Sequence, residues 1–201
     1  MARKPRDLAA GLFHVTCHSV WASLLFRDDV DRFALLREIA AAVVDFGWKC
    51  LAYCLMTNHF HLILEVTEGT LAAGMKQINV RHACRFNARH RLRGHVYGGR
   101  YDARRLDTDA YLLATFAYVA NNPVEAGLCR SPVEWPWSSY AATVGLTEPM
   151  PWVDASRIVG YFGEPKEAAI ARLRDYVEAR HTVVMGSDPG LTPRMGDVTL
   201  P

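Results

Sequence analysis

The chain has 201 residues, half of them hydrophobic and 22% charged, enough for one good-sized domain whose core needs no covalent staples. No run approaches 18 uninterrupted apolar residues, which argues against a membrane span. Five cysteines without CxxC spacing argue against a disulfide frame or zinc knuckle. The net charge of +2 by itself points to no partner. The start, MARKPRDLAAGLF, lacks an apolar h-region, so no secretory signal is expected and cytoplasm is the default.

Residues 12–20, LFHVTCHSV, alternate, with Phe13, Val15 and Cys17 on one face and His14, Thr16 and His18 on the other, as a first strand would. The segment 28–47 follows with Asp residues suited to an N-cap. It places Phe33, Leu36, Ile39, Ala40, Val43 and Phe46 at helical spacing, with Gly47 as the stop. Two β-rich runs, WKCLAYCLM (48–56) and HFHLILEV (59–66), are joined by Thr57-Asn58 and predict a hairpin. From Thr70 to about His90 the pattern is helical again. Leu71, Met75, Ile78 and Phe86 form its apolar stripe, and Arg81, Arg85 and Arg89 follow one edge at i, i+4 and i+8. Segment 92–106 is punctuated by glycine and then strand-like. A third helix is predicted over 108–123, with Thr108 or Asp109 near the N-cap, Pro123 just past the end, and Leu112, Phe116 and Val119 as its core face. A Pro/Trp-rich connection over 131–140 leads to two shorter helices near 153–161 and 165–180. The remainder, 181–201, is rich in Gly, Pro, Thr and Ser and is read as a flexible tail. The order β-α-β-β-α-β-α predicts an α+β fold: a mainly antiparallel sheet of about four to five strands with helices packed on it.

Charge is spread unevenly. Residues 76–105 carry nine basic side chains against one acid, Asp102, while the rest of the chain carries 14 basic and 20 acidic residues. A polyanion-binding segment on a mildly acidic body suits nucleic acid. A solvated arginine face on a helix explains the same pattern equally well.

The stretch LMTNHFHLILEV (55–66) raises the chemical question. On a strand, His59 and His61 project from one face, while Phe60, Leu62 and Leu64 project from the other. Two adjacent imidazoles on a rigid element can chelate a divalent metal, needing a third ligand from elsewhere. They can equally cap the edge of a core by hydrogen bonding, and an HxH pair alone favours that plainer reading. The third helix adds weight to the first. Tyr111, Thr115, Tyr118 and Asn122 fall at i, i+4, i+7 and i+11, so a phenol and a carboxamide project from one patch. If that helix packs on the sheet, Asn122 could complete a His/His/Asn site with Tyr118 beside it. A phenol, with an ordinary pKa of about 10, attacks phosphate best where a metal polarises it.

AYCLMTNHFHLILE, YLLATFAYVANNPVEAGL and EWPWSSY, in this order and at these separations, resemble the single-tyrosine HUH transposases, specifically the REP-associated tyrosine transposase group. The resemblance runs from about Gly11 to Tyr140 and more weakly through 152–180. It implies an HUH endonuclease-like sheet of ferredoxin/RRM-like topology over 1–140, followed by a helical extension over 141–180. By position, it implies that His59 and His61 bind Mg²⁺ or Mn²⁺, with Asn122 as third ligand and Glu65 as a lesser substitute. Tyr118 then attacks a phosphodiester of single-stranded DNA, forming a 5′-phosphotyrosine link and releasing a 3′-OH. The implied partner is single-stranded DNA with imperfect hairpins, its backbone held by Arg81, Arg85, Arg89, Arg100 and Arg104 on grounds of charge and spacing. Thr57 stands where the family commonly has Pro, Glu125 where it has Arg, and His18-Ser19 where it has Arg-Gly or Arg-Asn, which bears on the DNA recognised and not on the proposed catalytic set. Relatives include dimers that share sites and monomers; the longer region 141–201 leans the expectation toward a monomer. The competing expectation is a non-catalytic hairpin-binding regulator on the same scaffold.

Overall fold

The computed structural model describes residues 9–20 and 23–184, with side chains through 180. Four strands, β1 (Gly11–His18), β2 (Lys49–Leu55), β3 (His59–Val66) and β4 (Asp102–Arg105), form a sheet in the order β2-β3-β1-β4. Every neighbouring pair is antiparallel. The connection β1, α1 (Asp29–Asp45), β2, β3, α2 (Leu71–His90), β4 gives the split β-α-β arrangement of ferredoxin-like folds. The predicted hairpin is present, closed by the amide of Met56 donating to the carbonyl of His59.

Strand alternation sorts the side chains into two layers. Phe13, Val15 and Cys17 from β1 and Phe60, Leu62 and Leu64 from β3 join Leu35, Ile39, Met75 and Ile78 in one core, with α1 and α2 above it. Asp28 caps α1 by accepting from the Asp31 amide, and Gly47 ends the turn that follows at φ +63°, a conformation that favours glycine. On α2 the glycine at 74 has a packing reason, because a Cβ there would lie 2.2 Å from the Trp48 ring. Phe33, expected in the core, is 56% exposed. The buried stripe of α1 centres on Leu35, Ile39 and Ala42, and the Phe33 ring instead meets Trp137 edge-on at 5.1 Å.

The opposite face of the sheet is covered by α3 (Asp109–Glu125), whose Leu112, Phe116 and Val119 pack with Ile63 and Leu51. Thr108 is its N-cap. The helix does not stop before Pro123 as expected but carries it inside the last turn. There proline removes one backbone donor, and the Ala126 amide closes the end on the Asn122 carbonyl. A 3₁₀ turn (Pro132–Glu134) and the short helices α4 (Tyr140–Thr143) and α5 (Ser156–Gly160) precede α6 (Lys166–Val184). This last helix packs along α3, where Asn121 Nδ2 donates to the Val177 carbonyl at 2.8 Å. The strap around residues 135–139 closes the free edge of β2. The Leu55 amide donates to Trp137 O, Trp135 Nε1 to Leu55 O, and the Tyr53 amide to Ser139 Oγ, so the edge offers no open ladder. Residues 185–201, the greater part of the segment read as a tail, lie outside the described residues.

Candidate active site

Antiparallel pairing of β1 with β3 sets His18 opposite His59 and Thr16 opposite His61, so the polar faces of both strands coincide. Four imidazoles follow one another across them. The rings of His18 and His59 stack at 4.8 Å, those of His59 and His61 meet edge-on at 4.8 Å, and those of His61 and His14 stack at 5.2 Å. Tyr118, on the sheet-facing side of α3, approaches edge-on, 5.6 Å from the His61 ring and 6.1 Å from that of His14. The Asn122 carboxamide, one turn further, interacts with both His59 and His61.

The hydrogen bonds fix much of the protonation pattern. Asn58 Oδ1 lies 2.7 Å from His59 Nδ1, and a carbonyl oxygen can only accept, so the His59 proton sits on Nδ1 and its Nε2 lone pair is bare. His61 Nδ1 lies 3.0 Å from His14 Nε2 and 3.3 Å from Thr16 Oγ1. His61 Nε2 is buried with no hydrogen-bond partner. Burial pushes His59 down to about 4, His18 adding to the effect and Asn122 opposing it. Burial, then the neighbouring His59, His14 and His18, hold His61 well below the ordinary imidazole value. His14 is lowered to about 4 by burial and by Arg104. All three rings are therefore neutral near pH 7 and have lone pairs to give.

A divalent cation fits this donor set. The orphaned His61 Nε2, the bare His59 Nε2 and the neighbouring carboxamide oxygen of Asn122 are the groups a metal uses, and ring N–H groups engaged by outer partners are the usual company of ligating histidines. Among the described residues no group of three or more His, Cys, Asp and Glu side chains converges on one metal position, which leaves a carboxamide as the third protein donor on offer.

A family model described as "Transposase IS200 like" matches residues 13–122, more than half of the chain. The chain belongs to the IS200-like transposase family. Its fold resembles a solved REP-associated tyrosine transposase bound to a REP hairpin, with a TM-score of 0.60 and 20% identity over 77% of this chain and 93% of that one. A Deinococcus radiodurans protein described as a candidate transposase superposes with a TM-score of 0.42 and 15% identity, over 60% of this chain and 97% of that one. No curated protein matches the chain.

Within this transposase-family fold, His59, His61, Asn122 and Tyr118 come together, while the arginines divide. Arg104 lies opposite His14 on β4 and Arg100 is exposed just before that strand. Arg81, Arg85 and Arg89 ride on α2, over the other face of the sheet. Arg89 is held at 2.7 Å by both Asp28 and Asp31, and Arg81 stands 3.9 Å from Glu38. Glu65, weighed as a substitute ligand, lies at the far end of β3 between Lys49 and Arg157; four residues of extended strand separate it from His61, too far to share a cation. Tyr111 packs against the core under α3, two turns from Tyr118. The sequence reading left His14, Thr16 and Asn58 without a role. The alternation of β1 already put His14 and Thr16 on a polar face, but only the cross-strand register brings them to His61.

Proposed function

We propose that this protein is a single-strand DNA nicking and strand-transfer enzyme that cuts next to hairpin structures through a 5′-phosphotyrosine intermediate. The observation that carries the reading is the edge-on contact of the Tyr118 ring with His61, the histidine whose buried Nε2 has no partner. His59 and His61, with Asn122, would hold Mg²⁺ or Mn²⁺. Bound there, the cation would draw negative charge off the phosphate under attack. Tyr118 Oη attacks phosphorus in line, the bond from phosphorus to the 3′ oxygen breaks, and the phenolic proton is balanced by the proton gained at the released 3′-OH. The tyrosyl ester keeps the bond energy for religation. All four residues belong to one chain, so a monomer suffices. DNA with imperfect hairpins is the substrate class suggested by the structural neighbour's own complex with a REP hairpin. Of the basic residues of 76–105, Arg104 beside His14 and the exposed Arg100 would hold its backbone at the site, and the free cysteines suit a reducing cytoplasm.

The test is direct. Labelled single-stranded hairpin DNA incubated with the protein and MnCl₂ should give a denaturant-resistant adduct, lost to background with chelator and in Tyr118→Phe. An adduct that survives in Tyr118→Phe identifies another nucleophile. Cleavage without any adduct indicates a water-using phosphodiesterase. Hairpin binding that ignores both chelator and Tyr118→Phe, with no cleavage, indicates the non-catalytic regulator.

A further inference from the structure

We propose that His14 is a positioning residue: by hydrogen bonding to His61 Nδ1 it fixes His61 as the tautomer with a bare Nε2, aimed into the space shared with Asn122 and Tyr118. The proposal rests on the reading of His61 as a metal ligand and deepens it, since it names what prepares that ligand. His14 is not opposite His61 on the sheet; it pairs with Ile63, and Thr16 is the residue opposite His61. The contact is therefore diagonal, between cross-strand neighbours two positions out of register, and the stacked rings at 5.2 Å bring His14 Nε2 to 3.0 Å from His61 Nδ1.

One hydrogen lies between those two nitrogens. Were it carried by His14, His61 would bear its own hydrogen on Nε2, which makes no hydrogen bond of good geometry in a site that is 3% exposed and whose neighbouring Asn122 carboxamide is shared with His59. A buried donor without an acceptor is the rarer and costlier arrangement. With the hydrogen on His61 Nδ1, His14 Nε2 accepts, and the Thr16 hydroxyl, 3.3 Å from one nitrogen and 3.4 Å from the other, completes a three-cornered network. Thr16 alone is the weaker anchor, being more distant and carrying a hydroxyl that can donate or accept. His14 also meets the Tyr118 ring edge-on, so the side chain that sets the ligand's tautomer also borders the nucleophile.

Long-range ¹H–¹⁵N correlation spectra of the metal-free, full-length protein read the tautomer of each histidine ring. The expected result is His61 protonated on Nδ1 in the parent. His14→Phe keeps a stacked ring without an acceptor and should shift His61 toward the Nε2-protonated form. His14→Gln, whose amide oxygen accepts, should restore the parent pattern. Calorimetric titration with MnCl₂ should show binding weakened about 10–100-fold in His14→Phe, the range for lost outer-sphere partners, and changed only a few-fold in His14→Gln. A parent His61 protonated on Nε2 overturns the proposal, and that measurement needs no variant to fold. So does a folded His14→Phe with the parent's tautomer and Mn²⁺ affinity. A parent with the expected tautomer that binds no Mn²⁺ leaves the positioning role standing and removes the metal reading of the site instead.

Discussion

On the face of the sheet under α1 and α2, β1 and β3 present Phe13, Val15, Cys17, Phe60, Leu62 and Leu64, none more than 3% exposed. One residue along each strand, the face under α3 presents His14, Thr16, His18, His59 and His61. Both faces bury side chains, the second at His59 and His61, which are 5% and 3% exposed while His18 at the strand end is open to solvent, and the consequences of that burial are opposite. Burial of hydrocarbon is the driving force for folding. Burial of imidazole instead penalises its charged form and keeps its lone pairs available. The comparison shows how an apolar strand can serve a core and a chemical site together, through nothing more than a two-residue period.

The largest effects should separate the faces. Leu64→Ala empties a fully buried position on the apolar side and should cost about 2–5 kcal/mol in urea unfolding, while the folded fraction keeps its Mn²⁺ affinity. His61→Ala should do the reverse. Mn²⁺ binding should fall by more than about 100-fold, beyond what loss of an outer partner causes. A variant at Leu64 that loses metal binding while still folded would erase the distinction.

The histidines also tie stability to pH. His14, His59 and His82 are each lowered from 6.5 to about 4, so between those values the unfolded chain takes up protons that the folded protein refuses. Stability is then full above about pH 6.5 and declines as pH falls toward 4, by at most about 1.4 kcal/mol per pH unit for each such group. His82 tests the sign away from the candidate site. It is 1% exposed on α2, where the Tyr97 hydroxyl lies 2.8 Å from its Nδ1, and burial is the main cause of its shift. Urea midpoints measured from pH 7 to pH 5 should fall in the parent and fall less steeply in His82→Gln. Equal slopes would show that His82 titrates alike in both states.

Much of this division was legible beforehand because alternation is local. The polar and apolar residues of β1 and β3 sort themselves by parity, and the caps at Asp28 and Thr108 and the turn at Gly47 announce themselves by residue type. What local pattern cannot supply is register. Sliding β1 by one residue against β3 would reverse its faces, and nothing in LFHVTCHSV alone says that His14 reaches His61 and not its opposite neighbour. Helix phase has the same weakness at Phe33, which the spacing placed on the apolar stripe and the packing leaves 56% exposed. The ion-pair partners of the arginine run were hidden for a third reason: Asp28 and Asp31, which engage Arg89, stand about 60 positions earlier in the chain.

The arginines give the finest test of the comparison. Arg104 is in register with His14 on β4 and close enough to lower its pKa, so it stands on the side where DNA would meet Tyr118. Arg81 stands on α2, near Glu38 and on the other side of the sheet. If single-stranded DNA lies across the histidine face, Arg104→Ala should weaken hairpin binding and lower the slope of log K against log salt by about 0.7, the value for one phosphate contact on a single strand. Arg81→Ala should leave that slope unchanged, because α2 carries Arg81 over the opposite face of the sheet, where a strand lying across the histidines makes no phosphate contact with it. Filter binding or fluorescence anisotropy across a salt series resolves the two. Equal slope changes would mean that the DNA wraps both faces; a change confined to Arg81→Ala would put the nucleic acid on α2 and detach its binding surface from the tyrosine.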